Sequence, residues 1–286
     1  MNVSTRNRVA VALLLLVAAA APFAGVLARG EVPTFRDHES YFLPLRWHTA
    51  EALRAGDLPL WNPWNGGGEP WLANPQTGVF YPPAWLFLVL PFSLAYSVFL
   101  ILHLAILGWG AWTLFRRWAA EGPALTAAIA LMLSGPVFSL LDINNNLTSF
   151  SWLPLVFRLA AEREEKRTAG PLCALIGALA LAFLGGEPLY AAIGALATLA
   201  ILLPRDWRGA IVAGAGSAAL TAVQLLPFLA WIAGSERAVG LDPDEAFRHA
   251  VGAGDWLALA IPMASASGTV EPLRLVQQFV PSFYLG

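Results

Sequence analysis

The stretch FSLAYSVFLILHLAILGWGAWTLF, residues 92–115, is apolar almost throughout and carries no charged side chain. As a helix of 24 residues it would extend about 36 Å, more than the roughly 30 Å of a bilayer's hydrocarbon core. The whole chain shares this character, because 57% of its 286 residues are hydrophobic and only 13% are charged. Soluble domains carry about 25% charged residues. The composition therefore predicts an all-α polytopic membrane protein.

Several function classes are excluded by composition. The low charge excludes a cytosolic enzyme and a disordered chain. A single cysteine, Cys173, excludes a disulfide framework and a cysteine-rich metal site. The net charge of −2 provides no basic field for nucleic acid, so no nucleic-acid partner is expected.

Hydropathy outside residues 92–115 predicts six more spans, which makes about seven in all. The others are residues 9–27, 124–141, 150–161, 171–184, 189–203 and 210–233. Residues 81–90 are apolar but too short to cross, and they predict an interfacial or re-entrant piece. Residues 1–29 also fit a cleaved signal peptide, with a basic start and small residues after the apolar core.

Charge supports one orientation of these spans. With the N-terminus in the cytoplasm, the cytoplasmic segments hold ten basic and five acidic residues. The outside segments then hold seven basic and fourteen acidic residues. This asymmetry agrees with the positive-inside rule. We therefore expect the long segments 30–80 and 235–286 to lie outside, where function resides.

The chain divides into two parts. Residues 1–234 form the predicted seven-span membrane module, whose first outside loop is 30–80. Residues 235–286 form an outside segment with a predicted surface helix near 244–253, and they end in an apolar run typical of entry into another span. The chain is therefore expected to be a fragment of a longer protein.

The first outside loop holds the candidate chemistry. Leu45, His48, Ala52 and Leu53 fall on one side of a predicted surface helix, with Arg46 elsewhere. The following residues are rich in Pro, Gly and Asn, but four tryptophans argue against disorder and favour a functional loop. Asp37 and Glu39 precede the helix, and alternating carboxylates can hold a divalent cation or supply a base.

The run PLWNPWNGGGEPWLANPQTGVFYPP, residues 59–83, resembles the first-loop signature of YfhO-like bacterial membrane proteins. LHLAILGWGAWTLFRRW, SFSWLPLVF, LGGEP and QLLPFLAWIAGSERA match further along in the same order. That family is similar to the GT-C class of glycosyltransferases, which have a seven-span core and take sugar from a polyprenyl-phosphate carrier on the outer leaflet. The class carries an acidic pair in the first outside loop, a pattern that Asp37-His38-Glu39 fits.

The resemblance implies roles for particular residues. Asp37 is the candidate general base, and Glu39 is a second carboxylate or, with Asp37, a ligand for Mg²⁺ or Mn²⁺; relatives differ in metal dependence, so both readings stay open. A leaving phosphate needs positive charge. The candidate substrate-binding residues are Arg36, His38, Arg46, Asn62, Glu69, Asn74, Gln76, Glu187 and Arg237.

The expected function is transfer of sugar from a polyprenyl-phosphate donor to an outside lipid, glycan or protein acceptor, in the bacterial inner membrane. A lipid or sugar transporter and a non-catalytic membrane scaffold are the alternatives. A transporter usually places ionisable groups at the bilayer midplane and shows internal repeats. His103 is the only ionisable residue expected near the midplane, and no repeat is evident.

Overall fold

The computed structural model describes residues 5–33, 37–64, 67–235, 238 and 240. This part of the chain is predominantly helical. The α-helices are α1 Thr5–Ala20, α2 Ala24–Arg29, α3 Leu43–Arg54, α4 Leu86–Val89, α5 Phe92–Phe115, α6 Glu121–Met132, α7 Gly135–Leu141, α8 Asn144–Phe150, α9 Leu153–Lys166, α10 Ala169–Leu184, α11 Pro188–Leu202 and α12 Trp207–Ala233. Within the described residues, two short strands, β1 Trp61–Asn62 and β2 Glu69–Pro70, pair antiparallel and form one ribbon.

Three helical segments among the described residues are long and apolar enough to cross a membrane: Thr5–Arg29, Phe92–Phe115 and Trp207–Ala233. The first includes a 3₁₀ turn at Ala21–Phe23, where Pro22 cannot continue the α-helical hydrogen bonding. A fourth crossing results if α6 and α7, bent by 46° at a short break, count as one span. These apolar helices indicate a membrane protein, and the count of seven spans stays a prediction.

The bend between α6 and α7 has a local cause. Pro136 lies in the first turn of α7, directly after Gly135. Proline lacks the N–H that a continuous helix would use, so it favours the start of a new helix at this point. The predicted span 124–141 is therefore two helices.

The predicted fourth span, 150–161, is instead shared by α8 and α9. A run of three asparagines is typical of a turn, but Asn144, Asn145 and Asn146 form the first turn of α8 and are buried. The Asn144 amide donates to Tyr96 Oη at 2.5 Å and the Asn145 amide donates to Glu187 Oε2 at 2.8 Å, whereas the side-chain oxygens of Asn144 and Asn145 have no hydrogen-bond partner among the described residues.

The core surrounds α5, which contacts α1, α6, α8 and α9. At its middle, Tyr81 joins three elements. Its hydroxyl accepts a hydrogen bond from Trp152 Nε1 at 2.8 Å and lies 2.5 Å from His103 Nε2. Because His103 Nδ1 lies 2.6 Å from the Phe99 carbonyl, an acceptor, the proton belongs on Nδ1 and Tyr81 donates to Nε2.

The described residues of 37–91, which are all but 65 and 66, form a layer against these helices. A π-helical turn, His38–Phe42, leads into α3, and 3₁₀ turns follow at Pro75–Thr77 and Pro82–Trp85. The predicted helix is present as α3. Its buried residues are Leu45, Arg46, Thr49 and Ala50, whereas His48, Ala52 and Leu53 of the predicted face are half-buried. Arg46 and Thr49 are buried because both donate to the Thr77 carbonyl.

At the opposite end of the bundle an ion pair ties α9 to α12. Arg163 Nε lies 2.6 Å from Asp206 Oδ2, and both side chains are largely buried. Asp206 also caps α12, since its Oδ1 accepts the Gly209 N–H at 3.0 Å. Hydrogen bonding to Arg163 lowers the pKa of Asp206 below its ordinary value.

Tyr81→Phe should destabilise the fold, because it leaves the Trp152 N–H and His103 Nε2 without their buried partner. We expect a loss of about 1–3 kcal/mol in the free energy of unfolding, measured by denaturant unfolding in detergent. Tyr190→Phe, on a half-buried ring of α11, is the control and should cost less. Equal stability of the two variants would contradict the role of Tyr81.

Asp206→Asn should lower stability by removing the charge that pairs with Arg163, and Asp206→Ala should cost about 0.5–2 kcal/mol more through loss of the cap. Folding lowers the pKa of Asp206, so its charge stabilises the folded state fully at pH values above the ordinary aspartate pKa of about 3.9. This stabilisation is lost as the pH falls through the pKa of Asp206 in the folded state. The difference between wild type and Asp206→Asn should thus shrink only in acid. A difference that grew as pH fell would refute the assignment.

Candidate functional site

A cavity of about 600 Å³ opens between the segment 74–76, the turn between α10 and α11, and the last turns of α12. Its volume lies in the range of small-molecule binding sites. The described residues that line it are Tyr41, Asn74, Pro75, Gln76, Gly186, Glu187, Pro188, Phe228, Trp231, Ile232 and Ser235.

One wall of the cavity is a hydrogen-bonded polar group centred on Tyr41. Its hydroxyl donates to Gln76 Oε1 at 2.7 Å and accepts from Asn74 Nδ2 at 3.2 Å. Asn74 Oδ1 in turn accepts the Gln76 N–H at 3.0 Å, which caps the 3₁₀ turn Pro75–Thr77. Burial raises the pKa of Tyr41, so the phenol is neutral near pH 7 and acts as a donor.

Glu187 contributes a carboxylate to the same wall. Its Oε1 accepts the Leu189 N–H at 3.3 Å and caps α11, and its Oε2 accepts from Asn145 Nδ2 at 2.8 Å. The Glu187 N–H donates to Ser149 Oγ at 2.9 Å. The carboxylate is thus held by two elements, and α8 sets its position.

Gly186 brings the turn and the segment 74–76 together. Its φ of +110° is favourable for glycine alone, and a Cβ there would lie 3.0 Å from the Gln76 Cα and 3.2 Å from the Asn145 Cβ. Thr148 Oγ1 donates a hydrogen bond to the carbonyl of Gly185, the preceding residue. The close approach places Glu187 and Gln76 on one continuous polar surface.

The facing wall is apolar. Phe228, Trp231 and Ile232 follow the spacing of one helical face of α12. The Phe228 ring also packs edge-on against Phe183 of α10, with the ring centroids 5.9 Å apart. The cavity therefore offers hydrogen-bonding groups on one side and aromatic and aliphatic surface on the other, which suits a ligand with both polar and apolar parts.

The structure brings together three of the predicted site residues, Asn74, Gln76 and Glu187. Asp37 and Glu39 are not among the described lining residues. Asp37 is half-buried and begins the helical segment that contains Tyr41 four residues later. Asp37 is therefore adjacent along the chain to the π-helical turn that supplies Tyr41 to the cavity wall. Glu39 is exposed.

His38 and Arg46 are committed to internal contacts. His38 is buried, with Nδ1 2.8 Å from the Pro33 carbonyl and Nε2 2.5 Å from the Leu141 carbonyl. Arg46 is only 2% exposed, donates through Nη1 to the Thr77 carbonyl at 3.0 Å and lies over the Phe99 ring, while its Nε and Nη2 have no hydrogen-bond partner among the described residues. The predicted contacts of these two side chains with phosphate or sugar stay a prediction.

Asn62 and Glu69 pair with each other in the ribbon. Asn62 Nδ2 donates to Glu69 Oε1 at 3.0 Å, and Asn62 Oδ1 accepts the Trp64 N–H at 3.0 Å. These contacts stabilise the ribbon turn, and neither residue is among the described lining of the cavity, so their predicted role in substrate binding stays a prediction.

The predicted divalent-metal site does not fit the arrangement of Asp37 and Glu39. They lie two residues apart in a helical turn, where side chains do not face each other. Within the described residues no group of three or more His, Cys, Asp or Glu side chains converges. These two carboxylates alone form no convergent pair for Mg²⁺ or Mn²⁺.

Two predicted residues, Arg36 and Arg237, lie outside the described residues, as do the predicted surface helix and terminal apolar run of 235–286. Other contributors were missed by sequence reasoning. Nothing in the sequence marked Tyr41, Trp231, Asn145 or Ser149 as site residues. The one available signal was spacing, since Asn145, Thr148 and Ser149 share a helical face.

No curated protein and no solved structure matches the chain. A family model does match: Glycosyltransferase family 87 covers residues 79–275, more than half of the chain. The matched range includes Glu187 and the apolar wall on α12, whereas Tyr41, Asn74 and Gln76 precede it. The GT-C-like class expected from the sequence is confirmed, and the narrower YfhO-like resemblance stays a prediction. The chain belongs to glycosyltransferase family 87.

Proposed function

We propose that the chain transfers a sugar from a polyprenyl-phosphate carrier to an extracytoplasmic lipid, glycan or protein acceptor, and that the 600 Å³ cavity binds the sugar. The observation that carries this proposal is the pairing of a polar wall with an apolar wall in a family 87 chain. The proposal includes the seven-span module 1–234, the bacterial inner membrane, a cytoplasmic N-terminus and kinship to YfhO-like proteins.

The polar wall suits recognition of sugar hydroxyls. Gln76 and Asn74 supply amide donors and acceptors, and Tyr41 supplies a hydroxyl. The Glu187 carboxylate accepts two hydrogen bonds from the protein, which fix its position. Glu187 is therefore suited to accept hydrogen bonds from the ligand and to orient it.

The apolar wall suits the carrier. Phe228, Trp231 and Ile232 lie near the end of α12, a helix long and apolar enough to span a membrane. A lipid-linked sugar has its polar part at the membrane surface and its chain among the lipids. A cavity bounded on one side by such a helix admits both parts together.

Asp37 is the proposed general base. The acceptor oxygen attacks the anomeric carbon, the bond from that carbon to the phosphate oxygen breaks, and Asp37 takes the acceptor proton as the polyprenyl phosphate leaves. A single displacement of this kind inverts the configuration at the anomeric carbon. Arg36 and Arg237 are the proposed partners of the leaving phosphate, while Glu39 is a secondary acidic group at the surface. No metal-dependent step is included.

Asp37→Asn should lower the rate of transfer about 10²–10⁴-fold, because an amide cannot accept the acceptor proton. The measurement is transfer from a labelled polyprenyl-phosphate sugar by purified protein in detergent. Glu39→Gln, two residues away and exposed, is the matched control and should retain most activity. Near-normal transfer by Asp37→Asn would remove Asp37 from the mechanism.

Glu187→Gln should keep the cap on α11 through its amide oxygen but lose a charged acceptor for the ligand. Hydrogen bonds to charged groups contribute about 1.5–3 kcal/mol, so kcat/KM should fall roughly ten- to hundredfold. Glu69→Gln, whose partner is Asn62, is the control. If both variants lost activity equally, or neither did, the assignment of the cavity would fail.

A further inference from the structure

The ribbon that contains β1 and β2 carries an unusual amount of exposed apolar surface. Trp64 is 83% exposed, and Leu58, Leu60 and Trp61 are each about half exposed. We define these four side chains as the ribbon tip. The sequence from Leu58 to Gly68 contains no charged residue. Exposed apolar patches of this kind mark interaction surfaces.

The ribbon tip is apolar on both faces. Adjacent residues of a strand point to opposite sides, and both Leu60 and Trp61 are exposed. A protein or glycan docked on one face would leave the other in water. A medium that surrounds the ribbon, such as the lipid interface, covers both faces at once.

Connections to the helical bundle keep the ribbon close to the membrane. Its segment joins the two span candidates Thr5–Arg29 and Phe92–Phe115. Just after β2, the Leu72 carbonyl accepts a hydrogen bond from Gln224 of α12. Gln224 lies nine residues before the end of α12 at Ala233, which is about 14 Å along the helix axis. The base of the ribbon therefore lies beside a span candidate, at a level before the C-terminal end of that helix.

Several polar groups of the ribbon have partners within it, which lowers the cost of placing them in a lipid interface. Trp61 pairs with Pro70 and Asn62 with Glu69 in the backbone ladder, and the Trp71 N–H donates to the Leu60 carbonyl at 2.9 Å. The Asn62 amide is engaged with Glu69 and the Trp64 N–H.

The Trp61 indole is also fixed in place. It lies against Gly68, where a Cβ would come within 2.5 Å of Trp61 Nε1 and where φ is +97°. A tryptophan held in one orientation loses little further side-chain freedom on binding. Tryptophan is also enriched at membrane–water interfaces, where its amphipathic ring is stable.

We propose that the ribbon tip inserts into the lipid headgroup layer and anchors the segment 37–91 to the membrane surface. The partner is the bilayer itself. The anchor is independent of catalysis, because none of the four side chains lines the described cavity.

The test uses the full chain with Cys173→Ser, since Cys173 is exposed, reconstituted in phosphatidylcholine–phosphatidylglycerol vesicles. Trp64→Cys carries an environment-sensitive fluorophore, and Glu51→Cys, an exposed polar position of α3, is the matched control. We expect the label at 64 to be quenched by shallow nitroxide lipids and to be shielded from iodide several-fold compared with the label at 51.

Two outcomes overturn the proposal. Iodide access equal to that at position 51, without quenching by lipid nitroxides, would place the ribbon tip in water. Shielding from both quenchers would show that protein, such as a second copy of the chain, covers it. If Trp64→Cys does not fold, Leu60→Cys provides the same measurement.

Discussion

The site depends on one face of α8, from which Asn145, Thr148 and Ser149 hold the turn between α10 and α11. Thr148 binds the Gly185 carbonyl, Ser149 accepts the Glu187 N–H, and Asn145 donates to the Glu187 carboxylate. Partners of this kind offset part of the cost of burying a helix as polar as α8 inside an apolar bundle. Those partners are the backbone and side chain of the very turn that carries Glu187.

The same constraint organises the segment before α5. The Thr77 carbonyl receives hydrogen bonds from Arg46 and Thr49, and Tyr81 joins His103 to Trp152. These contacts draw a glycine- and proline-rich segment down onto the helices and fix its 3₁₀ turns. Asn74 and Gln76 then face the turn at Gly186 across a distance that only glycine permits. The buried hydrogen bonds of this segment therefore position the polar side chains that line the cavity.

Hydropathy was sufficient to predict much of the helical framework. Phe92–Phe115 begins and ends at the predicted residues, because a long uncharged run bounded by Pro91 and Arg116 leaves little choice. The predicted fourth span, 150–161, does not coincide with one helix, because hydropathy does not register the short polar helix α8, whose side chains make tertiary hydrogen bonds. Asn144–Phe150 has the composition of a turn, and only its partners make it a buried helix.

Part of the candidate site could also be predicted from the sequence. Glu187, Asn74 and Gln76 attracted attention as polar residues in apolar or turn-rich surroundings, and all three line the cavity. Arg46 and His38 attracted attention on the same grounds but are internal. Residue type cannot separate these cases, because a buried guanidinium or imidazole is distinguished by carbonyl groups remote in sequence, such as those of Thr77 and Leu141.

The central claim is that the cavity between Gln76, Glu187 and α12 binds the transferred sugar. Photo-crosslinking tests it most directly, with a polyprenyl-phosphate sugar that carries a diazirine on the sugar ring and mapping of the adducts by mass spectrometry. The account predicts adducts at Tyr41, at residues 74–76 and at residues 186–188. Adducts confined to other parts of the chain, with these three stretches unlabelled, would contradict it.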